Sequence, residues 1–211
     1  MQNIFNSDNP LFQLCERIFQ LMILNFLTLI CCIPIITSGA SITALYCCSF
    51  KLLQEQEPHI IKCFFKSFKE NLKQSVFITL VLFLFASILL YDFYFTQFIQ
   101  HASANINTFL LYCFIILAIL YVMVSLYVYP LLAKFYNSTF NIFRNAFFIS
   151  IRHILYTALL LVITYFPFAL SIMYLEFLPL VLTFYTLIGV SVMAYIKSYF
   201  YELIFNKYDT N

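Results

Sequence analysis

The sequence predicts an all-α polytopic membrane protein: a bundle of five to six membrane-spanning helices, the second one short, with an amphipathic helix on the cytoplasmic side. Three observations carry this reading. Hydrophobic residues make up 64% of the chain and charged residues only 9%, where a soluble domain carries about 25% charged residues. The apolar runs are as long as a bilayer core is thick, about 20 residues of helix. The charges are confined between those runs, so residues 1–211 read as one integral membrane domain.

At the N-terminus, Asn9-Pro10 is a helix start, because Asn caps free amides and Pro suits the first turn. Leu11, Leu14, Cys15, Ile18 and Leu21 fall on one stripe, which lets the segment lie along the inner membrane surface before turning in. The following run, Ile18–Phe50, spans about 50 Å as helix, too long for one crossing and short for two. Pro34 and Gly39 interrupt it, giving a full helix over 18–36 and a shorter one over 40–54. Ser38-Gly39-Ala40 has the small residues of a signal cleavage site, but the preceding apolar stretch is too long and lacks a basic cluster, so the helix is expected to be retained.

Residues 58–73, PHIIKCFFKSFKENLK, form the amphipathic segment. Lys62, Lys66, Lys69 and Lys73 repeat at helical spacing, opposite Ile61, Phe64 or Phe65, Phe68 and Leu72. Such a helix rests in the interface, aromatics in lipid and lysines among headgroups. It serves either as a topology anchor or as a docking surface for a cytoplasmic partner. Further helices follow over 75–99, 109–133 (ending near Pro130), 154–175 and 177–196. The last two form a hairpin: 154–196 spans about 64 Å of helix, two crossings, and carries a single charge, Glu176, at the break before Pro179. Pro167 is expected to kink its first arm.

Lys and Arg concentrate in cytoplasmic loops. With six crossings and both termini cytoplasmic, all 11 basic residues face inside; with five, all but Arg17 do. The helix break at the required turn favours six.

A net charge of +2 suggests no nucleic-acid partner. Ionisable residues deep in a membrane mark ion or proton pathways, and the expected helices contain essentially none, which counts against a pump or an ion-coupled transporter. No nucleophile–base pair, phosphate loop or cofactor motif is present, so no catalytic residue, metal ligand or cofactor is assigned and no enzyme is expected. The seven cysteines are odd in number and lie mostly inside apolar runs, which is not a disulfide framework. Cys31-Cys32 and Cys47-Cys48 read as packed thiols, since adjacent helical residues diverge by about 100° and no nearby His completes a set. Asn25, inside the first helix, is either interhelical glue or a ligand group. Pro34, Thr37, Gly39, Ala40, Ser41, Thr43 and Ala44 hold three overlapping small-xxx-small pairs at the break. They support two readings: a close-packed turn, or a broken-helix binding site of the kind transporters use.

FNSDNPLF near the N-terminus, Asn25, PIITSGASITALY and FFKSFKENLKQ together resemble the YesL-like bacterial membrane proteins, and Tyr127, Pro130, Leu131, Asn137 and Asn145-Ala146 extend the likeness. The chain departs from the family pattern at Ser38 and at Cys47-Cys48. The resemblance implies a multi-pass protein of the bacterial cytoplasmic membrane, of a family without established activity whose members are often encoded beside carbohydrate uptake transporters and glycan-degrading enzymes. The expected partners are therefore the lipid bilayer and components of a carbohydrate transporter. The leading functional expectation is an accessory or regulatory component of carbohydrate uptake; the alternative is a transporter or facilitator for a small solute.

Overall fold

The computed structural model describes residues 10–54, 56, 59–98 and 104–208, with side chains over 13–54, 56, 59–95 and 108–208. Asn9 and Pro58 lie outside the described residues. All regular structure among the described residues is helical: α1 Pro10–Cys32, α2 Ser38–Leu53, α3 Ile60–Phe98, α4 Ala104–Lys134, α5 Thr139–Arg152, α6 Ile154–Met173, α7 Leu178–Phe184 and α8 Val190–Phe205. A single 3-10 turn, Ile35–Thr37, joins α1 to α2, another, Leu175–Phe177, joins α6 to α7, and a π turn, Tyr185–Gly189, joins α7 to α8. Among the described residues six helical stretches are long and apolar enough to cross a membrane: 13–32, 35–53, 60–95, 108–134, 154–173 and 175–205.

Several elements differ from the sequence reading. No separate interfacial helix occupies 58–73, because α3 runs unbroken for 39 residues through both the lysine-bearing segment and the span that follows. No Gly or Pro lies within α3 to stop it. Likewise α1 is one unbroken helix from Pro10, with no turn between the N-terminal stripe and the span that follows; it ends at Cys32, four residues before 36. Pro130 sits inside α4, which continues to Lys134. The last helix continues past 196 to Phe205, carrying Lys197 and Glu202. The connection after α4 holds a helix the sequence reading missed, α5. Its buried positions Ile142, Ala146 and Ile149 repeat at i, i+4 and i+7, a signal obscured by Asn141, Arg144 and Asn145 between them.

The short second helix is the core. In α2, 61% of the span is buried inside the protein, against 6–22% for the other five, because α1, α3, α4 and α8 all pack on it. Small side chains make this possible: Gly39, Ala40, Ser41, Thr43 and Ala44 are all buried, and in lipid such residues let backbones approach. Toward its C-terminal end larger groups take over. Tyr46 meets Tyr201 edge-on at 5.7 Å, and Tyr127 meets Tyr201 at 5.4 Å. The outer faces of α3 and α4 present Phe77, Leu80, Phe83, Leu84, Phe109 and Ile116, the apolar belt that a bilayer would cover. The Lys and Arg side chains collect at one end of the bundle, with α5, the start of α3 and the end of α8.

Candidate functional site

The helix break is built from hydroxyls that satisfy backbone. Pro34 is extended (φ −74°, ψ 115°) and ends the α1 hydrogen-bond ladder. Thr37 Oγ1 donates to Cys31 O at 2.9 Å and Pro34 O at 3.0 Å, and Ser38 Oγ donates to Ile35 O at 2.7 Å. Ser41 Oγ donates across to Thr28 O of α1 at 2.9 Å, tying the two helices, while Thr43 Oγ1 folds back to Gly39 O at 2.8 Å. Gly39 is a point of close approach between α2 and α3. A Cβ there would stand 2.1 Å from Thr79 Oγ1, 2.8 Å from Tyr129 Cε1 and 3.0 Å from Ser75 O. Thr79 is itself fixed, donating to Ser75 O at 2.8 Å and bonding Tyr129 OH at 3.1 Å. The exposed part of the break is the turn itself, where Ile33, Ile35 and Ile36 point outward.

Asn25 is fully buried and forms a clasp between α1 and the last crossing. Its Nδ2 donates to Tyr185 O at 3.2 Å and Thr186 O at 2.9 Å, and its Oδ1 accepts from Ser191 N at 3.1 Å. Two of those backbone groups lie at the start of the π turn and the third just beyond its end, where the register shift disrupts the ordinary i to i−4 ladder. Ser191 Oγ completes the clasp by donating to Leu21 O at 2.7 Å. A carboxamide is suited to this place because it offers donor and acceptor at once. Interhelical glue is therefore the role the geometry gives Asn25.

A similar repair occurs at Pro130. Proline lacks an N–H, which leaves the carbonyl four residues earlier without its helical donor. That carbonyl, Leu126 O, accepts from Tyr201 OH at 2.8 Å. Nearby, Tyr127 OH bonds Thr157 Oγ1 at 2.9 Å, and Thr157 Oγ1 caps Ser150 O at 2.8 Å where α5 gives way to α6. These partners come from distant parts of the chain, so sequence reasoning could not find them. Ser198 Oγ is the buried side-chain polar atom without a partner among the described residues.

The four lysines, Lys62, Lys66, Lys69 and Lys73, are all exposed along the start of α3. Their helix does not turn its whole apolar side to lipid, since Phe64 is fully buried in the protein core while Ile61 and Phe65 remain exposed. Cys47 is half-buried, Cys48 and Cys63 are buried, and Lys51 Nζ lies 3.4 Å from Cys63 Sγ, a contact between α2 and α3. Among the described residues no group of His, Cys, Asp and Glu has a metal-binding arrangement.

At the basic end a half-open cleft of about 280 Å³ lies between the end of α4, α5 and the segment after α8, lined by Phe135, Asn137, Asn145, Phe148, Arg152 and Tyr208 together with Leu131 and Ile149. Arg152 stacks over the Tyr208 ring at 5.7 Å, and His153 Nε2 holds the Tyr208 hydroxyl at 3.1 Å. Burial, then the positive charges of Lys207 and Arg152, hold the His153 pKa below its ordinary value, so the imidazole is neutral at neutral pH. Asn137 and Asn145 belonged to the extended resemblance, but nothing in the sequence joins them to Arg152 and Tyr208.

Residues 21–93 match the family described as a protein of unknown function, DUF624. The match runs from α1 through most of α3 and takes in Asn25, the break and the four lysines, marking an uncharacterised membrane-protein domain. The cleft falls outside it. No curated protein and no solved structure matches the chain.

Proposed function

We propose that this chain is a YesL-like accessory or regulatory component of a carbohydrate uptake system in the bacterial cytoplasmic membrane, with both termini cytoplasmic. In this reading it has no catalytic step and carries no solute of its own. The observation that supports it is the filled break. The stretch that would form a transporter's binding site is occupied by its own packing, with Gly39 against Thr79 and Tyr129 and the Thr37, Ser38, Ser41 and Thr43 hydroxyls donating to backbone carbonyls. Nor is any Asp, Glu, Lys, Arg or His buried among the described residues, as coupled transport would require. The carbohydrate association comes from the resemblance alone, and the exposed lysines of α3 are the surface assigned to a partner or to lipid headgroups.

Affinity purification of the tagged chain in mild detergent tests the reading. Recovery of a carbohydrate transporter component above background supports it, and loss of that component on replacing all four lysines by Gln assigns the surface. Absence of any transporter component, or solute flux through the purified chain alone in proteoliposomes, overturns it.

A further inference from the structure

The cleft at the basic end has the composition of an anion site beside an apolar wall. Among the described residues its one charged lining group is Arg152, and no described carboxylate lines it. Among the described residues Arg152 has no ion-pair partner, and the side-chain amides of Asn137 and Asn145 make no hydrogen bond. The Arg152 guanidinium and the two carboxamides therefore line one space with N–H donors that no acceptor among the described residues takes up. The guanidinium is held in place by its stack on Tyr208, which His153 fixes in turn. A planar, oriented guanidinium favours bidentate contact with phosphate oxygens. Lys207 stands at the same end and adds to the positive potential.

The other wall is apolar and continuous with the membrane-facing surface. Phe148 lines the cleft yet is 61% exposed, and Phe147, Ile151, Ile154 and Leu155 carry that exposed apolar surface along α5 onto the start of α6. Phosphate donors meeting a greasy surface at the end of a membrane bundle match an amphiphile. A basic pocket between transmembrane helices is a known type of headgroup site.

We propose that this cleft binds the phosphate of an anionic phospholipid headgroup, with Arg152, Asn137 and Asn145 as donors and Phe148 against the glycerol and upper acyl chain. The site goes beyond the accessory reading and does not depend on it, because binding is read on the purified chain with no transporter present. The shared chemistry, a phosphate ester, also exists in soluble form, so the test separates the two sources.

The full chain, purified in mild detergent, is titrated with phosphatidylglycerol, phosphatidylcholine or soluble glycerol 3-phosphate, and retained ligand is measured by native mass spectrometry. Wild type is expected to retain phosphatidylglycerol over phosphatidylcholine. Arg152→Gln, at an exposed position, should weaken that retention about fivefold or more, the scale of one cation acting on a lipid phosphate. Asn145→Asp, which keeps the side-chain size and adds a negative charge, should weaken it at least as much. Arg144→Gln, on α5 but outside the cleft lining, should leave it nearly unchanged. Equal retention in wild type, Arg152→Gln and Asn145→Asp overturns the site. Equal losses in Arg144→Gln and Arg152→Gln overturn it too, showing general surface attraction. Glycerol 3-phosphate bound as well as phosphatidylglycerol overturns the lipid assignment in favour of a soluble phosphate ester.

Discussion

Gly39→Ala is the substitution on which the packing account depends most. The added Cβ would sit 2.1 Å from Thr79 Oγ1 and 3.0 Å from Ser75 O, which is backbone and cannot move alone. Thr79 cannot yield freely either, since its hydroxyl bonds both Ser75 O and Tyr129 OH. Overpacking of this kind costs about 1–3 kcal/mol, and displacing the Thr79–Tyr129 hydrogen bond adds about 0.5–1.5 kcal/mol. Against this stands the helix-propensity gain of Ala over Gly, at most about 1 kcal/mol, and smaller here because Gly39 is the second residue of α2. The net expectation is a loss of about 1–3 kcal/mol, or a Tm lower by about 3–10 °C. Thermal unfolding in mild detergent, followed with a thiol-reactive fluorophore, measures it, because Cys48 and Cys63 are buried until the bundle opens. Thr79→Ala removes the nearest clashing atom, so Gly39→Ala should cost much less in that background. A Gly39→Ala protein as stable as wild type, or equal costs in both backgrounds, would refute the reasoning.

Two further substitutions test the polar repairs. Asn25→Leu removes two bonds to the π turn and one to the start of α8; at about 0.6 kcal/mol each on average and up to about 1.7, the loss should be about 2–4 kcal/mol and exceed that of Ser191→Ala, which leaves the Asn25 contacts to backbone in place. The thermal assay checks the order of the two variants. Tyr201→Phe strands Leu126 O and should cost about 1–2 kcal/mol, but little in a Pro130→Ala background, where residue 130 regains the N–H that carbonyl lacks; a double-mutant cycle on Tm reads the coupling.

Composition and the spacing of the apolar runs settled the class of the molecule and the order of its spans. Apolar runs of bilayer length separated by charge leave a chain no alternative to helices in lipid, because every backbone group must be satisfied within its own segment. The interruption at Pro34 and Gly39 was legible for the same local reason: one residue lacks an N–H and the other a side chain. Element ends were less legible. Where α3 continues through its lysines, and α8 through Lys197 and Glu202, a change in polarity was read as a change in structure, although helix geometry does not depend on polarity.

The roles of the distinctive residues emerge from the packing of the helices. Nothing near Asn25 in sequence signals a π turn some 160 residues later, nor does Pro130 announce that Tyr201 will supply its missing donor. Arg152, Asn137, Asn145 and Tyr208 become one cleft because α4, α5 and the segment after α8 converge at one end of the bundle. Local chemistry settles where a helix starts, breaks or meets lipid. Which polar groups face one another depends on contacts between distant segments, and those exist only once the helices have packed.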